Sequence, residues 1–122
     1  MGSFKNFEEI ISWQKARENT TLIYSMTSKN GFEKDFGLKD QIRRSSVSVM
    51  ANIAEGFDRN TDKEFAQFLF IAKGSNAETL SHLYVALDLN YITQQEFETL
   101  KEKITEIRKL INGLISYLKV IL

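Results

Sequence analysis

Apolar residues recur at alternating spacings of three and four along the last part of the chain, and this repeat restricts the fold more than any other feature. Its members are Phe97, Leu100, Ile104, Ile107, Ile111, Leu114, Leu118 and Ile121. Because an α-helix turns once every 3.6 residues, this spacing places all of them on one stripe. Thr93 and Glu96 have capping-box spacing, which predicts a helix over about 93–120. Such a stripe is stable only when other helices cover it.

Few residues interrupt the remaining helical patterns, since the chain has no proline and only six glycines among its 122 residues. A second apolar stripe predicts a helix over about 61–89, with Thr61 and Glu64 forming another capping-box pattern at its start. A third stripe predicts a helix over about 37–57. The short connection between the last two helices makes them antiparallel neighbours.

The first helix has the weakest pattern, because residues 20–24 favour a strand locally. A helix over about 12–29 is nevertheless the better prediction, since Ser12 is a suitable N-cap and no second strand-like segment exists to pair with this one. Four amphipathic helices with short loops predict an all-α, up-down-up-down antiparallel four-helix bundle as a single domain over 1–122. Residues 1–11 are expected to form an N-terminal arm on its side.

Composition excludes several classes of protein. The chain has no cysteine, which excludes disulfide scaffolds, thiolate zinc sites, iron–sulfur clusters and cysteine catalysis. Sixteen Lys and Arg balance sixteen Asp and Glu, and the pI is near 6.6, unlike dedicated nucleic-acid binders. No apolar run is long enough for a transmembrane helix, and no export signal is recognisable, so we expect a cytoplasmic protein without a membrane partner.

The titratable residues do not form a catalytic or metal-binding pattern. His82 is the only histidine and follows Glu78 by four residues, whereas a di-iron bundle needs about two histidines and four carboxylates. Gly74 and Ser75 lie inside a predicted helix and do not form a phosphate loop. Gly74 is instead expected to allow close helix packing. We therefore expect no enzyme activity, no catalytic residue, no cofactor, no metal and no small-molecule substrate.

One side of the helix over 37–57 is polar. The polar residues on this side are Gln41, Arg44, Ser45, Ser48, Asn52, Glu55 and Arg59. They form either an ordinary solvated face or a partly buried hydrogen-bonded network of Arg44, Asn52 and Glu55, which would also include Glu78 of the next helix. If these groups are buried and bonded, Glu55→Ala or Asn52→Ala should cost roughly 1–3 kcal/mol.

The apolar side of the same helix is wider than contact with one neighbour requires. It covers about half of the circumference and consists of Leu38, Ile42, Val47, Val49, Met50, Ile53, Ala54 and Phe57. This breadth predicts contact with more than one surface, including that of another subunit. Phe70 lies away from the stripe of its own helix and is a candidate for the same interface.

Basic residues near the ends of this helix are a second candidate surface. They are Lys39, Arg43, Arg44, Arg59 and Lys63. Such residues are either solvated or, if they converge, able to contact the phosphates of a nucleic acid.

Several segments resemble the four-helix-bundle family of the 23S rRNA-intervening-sequence protein, often labelled a ribosomal protein. The segments are Trp13-Gln14-Lys15-Ala16, Phe36-Gly37-Leu38, Gln41-Ile42-Arg43-Arg44-Ser45, Val47-Ser48-Val49, Ala51-Asn52-Ile53-Ala54-Glu55-Gly56-Phe57, Lys63-Glu64-Phe65, Phe68-Leu69, Ile71-Ala72 and Gly74-Ser75. The resemblance implies a ring-like homopentamer without known catalytic activity or cofactor. It also implies RNA association, since some members are encoded inside intervening sequences of bacterial rRNA genes.

The chain departs from the family pattern in two respects. A related branch, the accessory variability protein of diversity-generating retroelements, is strongly basic, whereas this chain has no net charge. Met50 replaces a common family proline. The leading hypothesis is a non-enzymatic, homopentameric interaction protein of the bacterial cytoplasm. The alternative is an accessory protein that binds RNA or a nucleoprotein through a basic patch repeated around the oligomer.

Overall fold

The computed structural model describes the backbone of residues 4–121 and the side chains of residues 4–119. Four α-helices follow one another: α1 (Ile11–Met26), α2 (Phe36–Phe57), α3 (Asp62–Asp88) and α4 (Gln94–Ile121). Short 3-10 helices, Phe7–Glu9 and Phe32–Lys34, precede α1 and α2. This part of the chain contains no strand, which confirms the all-α prediction.

The helices are arranged as an up-down-up-down bundle, as the short connections predict. Helix α2 packs against α1 and α3, and α4 packs against α3 and α1. Helices α1 and α3 therefore lie on one diagonal of the bundle, with α2 and α4 on the other. The α2–α3 contact is the most extensive in the molecule and the α1–α4 contact is the least extensive of the four neighbouring pairs.

The core consists of two hydrophobic clusters stacked along the bundle axis. Buried side chains of one include Ile53, Leu69 and Ile111, and those of the other include Ile42 and Leu100. The repeat on α4 supplies both clusters. Its members Phe97, Leu100, Ile104, Ile107, Ile111 and Leu118 are buried, Leu114 is half-buried, and the side chain of Ile121 lies outside the described residues.

Two helix starts follow the predicted capping chemistry. The Thr61 hydroxyl accepts a hydrogen bond from the backbone N–H of Glu64 at 3.1 Å. Thr93 and Glu96 form the full box, since the Thr93 hydroxyl accepts from the Glu96 N–H at 3.1 Å and the Glu96 carboxylate accepts from the Thr93 N–H at 2.9 Å. Helices α2, α3 and α4 accordingly begin and end within one residue of the predicted positions.

The predicted ends of α1 were less accurate. Ile10, not Ser12, is the N-cap, and Ser12 lies inside the helix with a buried hydroxyl that has no hydrogen-bond partner. The helix ends at Met26, three residues before the predicted end. The chain turns immediately afterwards because Asn30 and Gly31 have positive φ values of 58° and 88°.

Aromatic contacts attach the described part of the N-terminal arm to the bundle. The ring of Phe7 lies 5.1 Å from that of Trp13, and the ring of Phe4 lies 6.4 Å from that of Phe57. Residues 1–3 of the predicted arm lie outside the described residues. None of the helices described has the length and apolar character needed to cross a membrane.

Candidate interaction surfaces on helices α2 and α3

Close contacts between α2 and α3 fix the relative height of their residues. The hydroxyls of Ser45 and Thr79 lie 2.8 Å apart, and those of Ser48 and Ser75 lie 2.9 Å apart. Near the end of α2, a Cβ atom added to Gly56 would lie only 2.6 Å from Cβ of Phe68. Ser48 and Ser75 therefore lie at the same height along the bundle. Because the two helices are antiparallel, residues that follow Ser48 on α2 lie beside residues that precede Ser75 on α3.

Arg44 and Glu55, two of the predicted polar residues of α2, are exposed and pair with residues one turn away along the chain, whereas Ser45 and Ser48 bond to α3. Nε of Arg44 donates to the Asp40 carboxylate at 2.8 Å, and Nη2 of Arg59 donates to the Glu55 carboxylate at 3.1 Å. The Arg44 side chain is 79% exposed and that of Glu55 is 56% exposed. Both pairs have i,i+4 spacing, so each stabilises the helix by only about 0.3–0.5 kcal/mol.

The remaining members of the expected network also have separate partners. Nδ2 of Asn52 donates to the carbonyl oxygen of Ser48 at 2.8 Å, and the Glu78 carboxylate lies 3.1 Å from Nε2 of His82. The prediction of one buried network of Arg44, Asn52, Glu55 and Glu78 is therefore wrong for a single chain. Arg44, Glu55 and Glu78 are exposed, as the alternative of a solvated face predicted, whereas Asn52 is half-buried and its Nδ2 also donates to the Ser48 hydroxyl that contacts Ser75.

Lys39, Arg43 and Arg44 lie together at one end of α2. Nε of Arg43 donates to the Thr27 hydroxyl at 2.8 Å, and its guanidinium lies 4.4 Å from the Tyr24 ring centroid. Nζ of Lys39 donates to a backbone carbonyl at 3.1 Å. Arg44 and Arg43, together with exposed Tyr24, line an open cavity of about 540 Å³. Two of the three cations are thus used to hold α1 and the loop before α2.

Arg59 and Lys63 belong to a different part of the surface. Arg59 follows Arg44 by fifteen residues, a distance of about 22 Å at 1.5 Å per helical residue. Its guanidinium lies 4.7 Å from the ring centroid of Phe68 and pairs with Glu55. The five basic residues predicted as one patch are therefore divided between the two ends of α2.

The outer face of α3 is the most apolar exposed helix surface described. We define it as these exposed residues: Gln67, Phe70, Ile71, Gly74, Ala77, Glu78, Ser81, Tyr84 and Val85. Tyr84 forms its edge towards α4, where its ring lies 4.7 Å from that of buried Phe97. Phe70 is 46% exposed and Ile71 is 51% exposed. Between Gln67 and Val85, Glu78 is the only charged residue on this face, and exposed Lys63 and Asp88 continue the same side of α3 at its two ends. A helix that is apolar on both sides normally has a second neighbour.

The exposed side of α4 has the opposite character. It carries Glu98, Lys101, Glu102, Glu106, Arg108 and Lys109. Charged residues on the side opposite the core are typical of a helix that faces water. The exposed side of α4 therefore suits contact with water, whereas the exposed side of α3 is an apolar surface that other helices of the chain leave largely open to solvent.

Gly74 lies in the middle of the outer face of α3, and the close helix packing expected at this residue is not made within the described chain. A Cβ atom added to Gly74 would have no neighbour within 4 Å. Its neighbour Ser75 makes the contact with α2 instead. A glycine inside a helix costs about 1 kcal/mol relative to alanine, and no contact within the described chain compensates for this cost.

The outer face of α2 lies beside that of α3. We define it as Gln41, Arg44, Val47, Ala51 and Glu55, all of which are exposed. Its centre is formed by Val47 and Ala51, which are small and uncharged. The wide apolar side of this helix was predicted to contact more than one surface, and Val47 is the part of it that the bundle leaves exposed.

The structure also shows polar contacts that the sequence did not reveal. Asn76 is 2% exposed, and its Nδ2 donates to the carbonyl oxygen of Ile104 on α4 at 2.9 Å. The Tyr91 hydroxyl donates to the Asp35 carboxylate at 3.0 Å. This hydrogen bond, together with partial desolvation and the nearby negative charge, raises the pKa of Tyr91 above its ordinary value of 10.0.

No group of three His, Asp or Glu side chains that could hold a metal ion occurs among residues 4–119. His82 and Glu78 form an isolated surface pair. The largest described cavity, about 630 Å³, is lined mainly by exposed charged residues of α4, of which Lys101 donates to the Tyr84 hydroxyl of α3 at 3.2 Å.

The helix order and the close α2–α3 packing define the class of antiparallel four-helix bundles. Within this class, the chain belongs to the family of the 23S rRNA-intervening sequence protein, whose family model matches residues 8–113. The family membership expected from the sequence is thereby confirmed.

A solved structure supports the same assignment. It is that of a protein with unknown function from the S23 ribosomal protein family of Bacteroides thetaiotaomicron VPI-5482. The two proteins share 30% sequence identity and a TM-score of 0.79, over 85% of this chain and 97% of the other. No curated protein gives a significant match to the chain.

Proposed function

We propose that this protein is a non-enzymatic, self-associating helical bundle that acts as an interaction module in the bacterial cytoplasm, with a homopentameric ring as its assembly. The observation that carries the proposal is the outer face of α3, which exposes Phe70, Ile71 and Val85 around an unpacked Gly74. Burial of such a face in a subunit interface would remove this apolar surface from water.

The helical glycine supports a helical neighbour. Without a side chain at Gly74, the backbone of a second helix can approach α3 closely, which would offset the low helix propensity of glycine. The ring of five copies is what the family resemblance implies. A rigid ring would present several identical surfaces, and multivalent contacts compensate for modest affinity at each copy.

Light scattering on a size-exclusion column tests self-association directly. At tens of micromolar, we expect a mass about five times the 14.1 kDa of one chain. The apolar interface should persist at about 0.5 M salt, since salt screens exposed charges but strengthens rather than weakens apolar burial. A mass of one chain at both salt concentrations would reject the proposal.

Binding of RNA or of a nucleoprotein is the second candidate function. The observation that favours it is the open cavity where Arg44 and the exposed ring of Tyr24 lie together. Guanidinium groups contact phosphates, and aromatic rings stack on bases. A ring would repeat this small site around its circumference.

The anisotropy of a fluorescently labelled structured RNA, titrated at about 50 and about 200 mM salt, tests the second candidate. Micromolar binding that weakens steeply with salt, and that Arg44→Ala reduces, would support it. Absence of binding by the intact oligomer at low salt would reject it.

A further inference from the structure

We infer that neighbouring copies pack the outer face of α3 of one chain against the outer face of α2 of the next, with Glu78 beside Arg44 and Gly74 beside Ala51. The inference rests on the proposed function, because it presupposes a closed ring of identical chains. Beyond the proposed function, it specifies which surfaces of neighbouring copies meet and which residues pair across that contact.

The directions of the two faces suit a small ring. Helices α2 and α3 are neighbours in the bundle, so their outer faces point about a right angle apart. A closed ring joins two different faces of each copy, and their directions must differ by about 90° for four copies and about 108° for five. Faces on diagonally opposite helices point about 180° apart and would extend a filament instead of closing a ring.

The register within one chain predicts which residues meet between chains. Ser48 lies beside Ser75 and Ser45 lies beside Thr79, so these pairs mark equal heights along the bundle. If the rotation axis of the ring runs along the bundle, every copy has its helices at the same height. The same register then applies between copies.

On this register the two outer faces are complementary. Val47 lies at the height of Ala77, and Ala51 lies within about 3 Å of the height of Gly74, so small residues meet and the helix backbones can approach closely. One turn further along, Arg44 lies within about 3 Å of the height of Glu78, a difference that two long side chains can span.

The charges on the two outer faces favour a second copy of this chain as the partner that covers them. The Arg44 side chain is largely exposed, and its hydrogen-bond partner in the chain is Asp40, one turn away. Glu78, the only charge in the middle part of the outer face of α3, pairs in the chain with His82. Arg44 and Glu78 thus offer opposite charges to each other, and Glu55, the other charge on the outer face of α2, is paired with Arg59.

Cysteine cross-linking tests the pairing, because the natural chain contains no cysteine. The double variant Ala51→Cys with Gly74→Cys should form disulfides between copies on mild oxidation. We expect a ladder of covalent species up to the full ring on a denaturing gel. Either single variant should remain a single chain, since each places its cysteine far from its own copy in the next chain.

Two outcomes of this experiment would overturn the inference. Disulfide-linked dimers of the Gly74→Cys variant alone would indicate that α3 packs against α3 about a two-fold axis. A double variant that stays a single chain on the gel, while light scattering shows an oligomer, would place the interface elsewhere.

Charge exchange provides an independent measurement. Arg44→Glu and Glu78→Arg should each raise the concentration of half-assembly at least about tenfold, because like charges meet across the interface. The double variant should return to within about threefold of the wild type, because the opposite charges meet again. Arg108→Glu and Glu102→Arg, on the exposed side of α4, are the matched controls and should change assembly little. Absence of rescue in the double variant would overturn the pairing.

The possible results separate this inference from the proposed function. A wild-type protein with the mass of one chain contradicts both. An oligomeric wild type that neither charge reversal affects overturns the inference alone. If Arg44→Glu abolishes RNA binding and leaves the mass unchanged, the outer face of α2 is an RNA surface and the inference is overturned.

Discussion

Gly56 and Gly74 are both helical glycines with opposite surroundings. A Cβ atom at Gly56 would lie 2.6 Å from Cβ of Phe68 and 3.3 Å from the carbonyl oxygen of Phe65, whereas one at Gly74 would meet nothing within 4 Å. We predict that Gly56→Ala lowers the free energy of unfolding by about 1–3 kcal/mol, because α2 and α3 must move apart. Gly74→Ala should raise the intrinsic stability of the helix by up to about 1 kcal/mol.

Urea unfolding followed by circular dichroism measures both effects. Samples must have equal protein concentration, because assembly contributes to apparent stability. Gly113→Ala on α4 is the matched control, since its added Cβ atom also has no neighbour within 4 Å. An unchanged midpoint for Gly56→Ala would contradict the close α2–α3 contact.

Asn76 is the buried polar residue with the clearest structural role. Its side-chain amide connects α3 to the carbonyl oxygen of Ile104 on α4. We predict that Asn76→Ala lowers the free energy of unfolding by about 1–3 kcal/mol, through loss of the hydrogen bond and of buried volume. Ser81→Ala, on the exposed side of the same helix, should change it by less than about 0.5 kcal/mol in urea unfolding. Equal effects of the two changes would contradict this role.

For single residues, hydrogen bonds between groups close together in the sequence were predictable, whereas hydrogen bonds between groups far apart in the sequence were not. The caps at Thr61 and Thr93 were predicted because donor and acceptor lie three residues apart. The bond from Asn76 to Ile104 joins residues 28 positions apart, so no local pattern indicates it. The predicted network failed for the same reason, since a helical wheel shows that Arg44 and Asn52 share a side but not which atoms reach each other.

Tyr91 connects two elements, the loop between α3 and α4 and the start of α2. Its hydroxyl donates to Asp35, whose carboxylate also accepts from the backbone N–H of Leu38 as the N-cap of α2. Because folding raises the pKa of Tyr91 above 10.0, the stabilisation is present below about pH 10 and is lost as the pH rises through the folded pKa.

We therefore predict that the wild-type melting temperature falls more steeply than that of Tyr91→Phe between about pH 9 and pH 11. The variant lacks the hydroxyl that must ionise and retains the ring that packs 5.1 Å from Phe32. Tyr117→Phe, on the exposed side of α4, controls for the titration of other tyrosines. Parallel curves for the wild type and Tyr91→Phe would contradict the prediction.

The helices themselves were predictable because each stripe is a local pattern. Helices α2, α3 and α4 have clear stripes and caps, and their ends were predicted within one residue. Helix α1 lacks a side-chain cap, and Ser12 faces the core instead of capping the helix. Capping preference alone therefore could not locate its first residue.

For the whole molecule, the bundle was predictable but its outer surfaces were not. The sequence pattern placed Phe70 away from the core stripe of α3, and its side chain is exposed. Only the bundle shows that Ile71 and Val85 extend this exposed apolar surface and that Gly74 faces away from the other helices. The five basic residues were likewise predicted as one candidate surface, but they lie at opposite ends of α2.

The most direct test of self-association through α3 is the mass of the wild type and of Gly74→Leu, with Gly113→Leu as the matched control, by native mass spectrometry and light scattering. A leucine at Gly74 has free space within one chain but would block close approach of a second helix. We predict about five times 14.1 kDa for the wild type and the control, and a single folded chain for Gly74→Leu. A wild type of one chain, or a Gly74→Leu variant that assembles as the wild type does, would contradict this account.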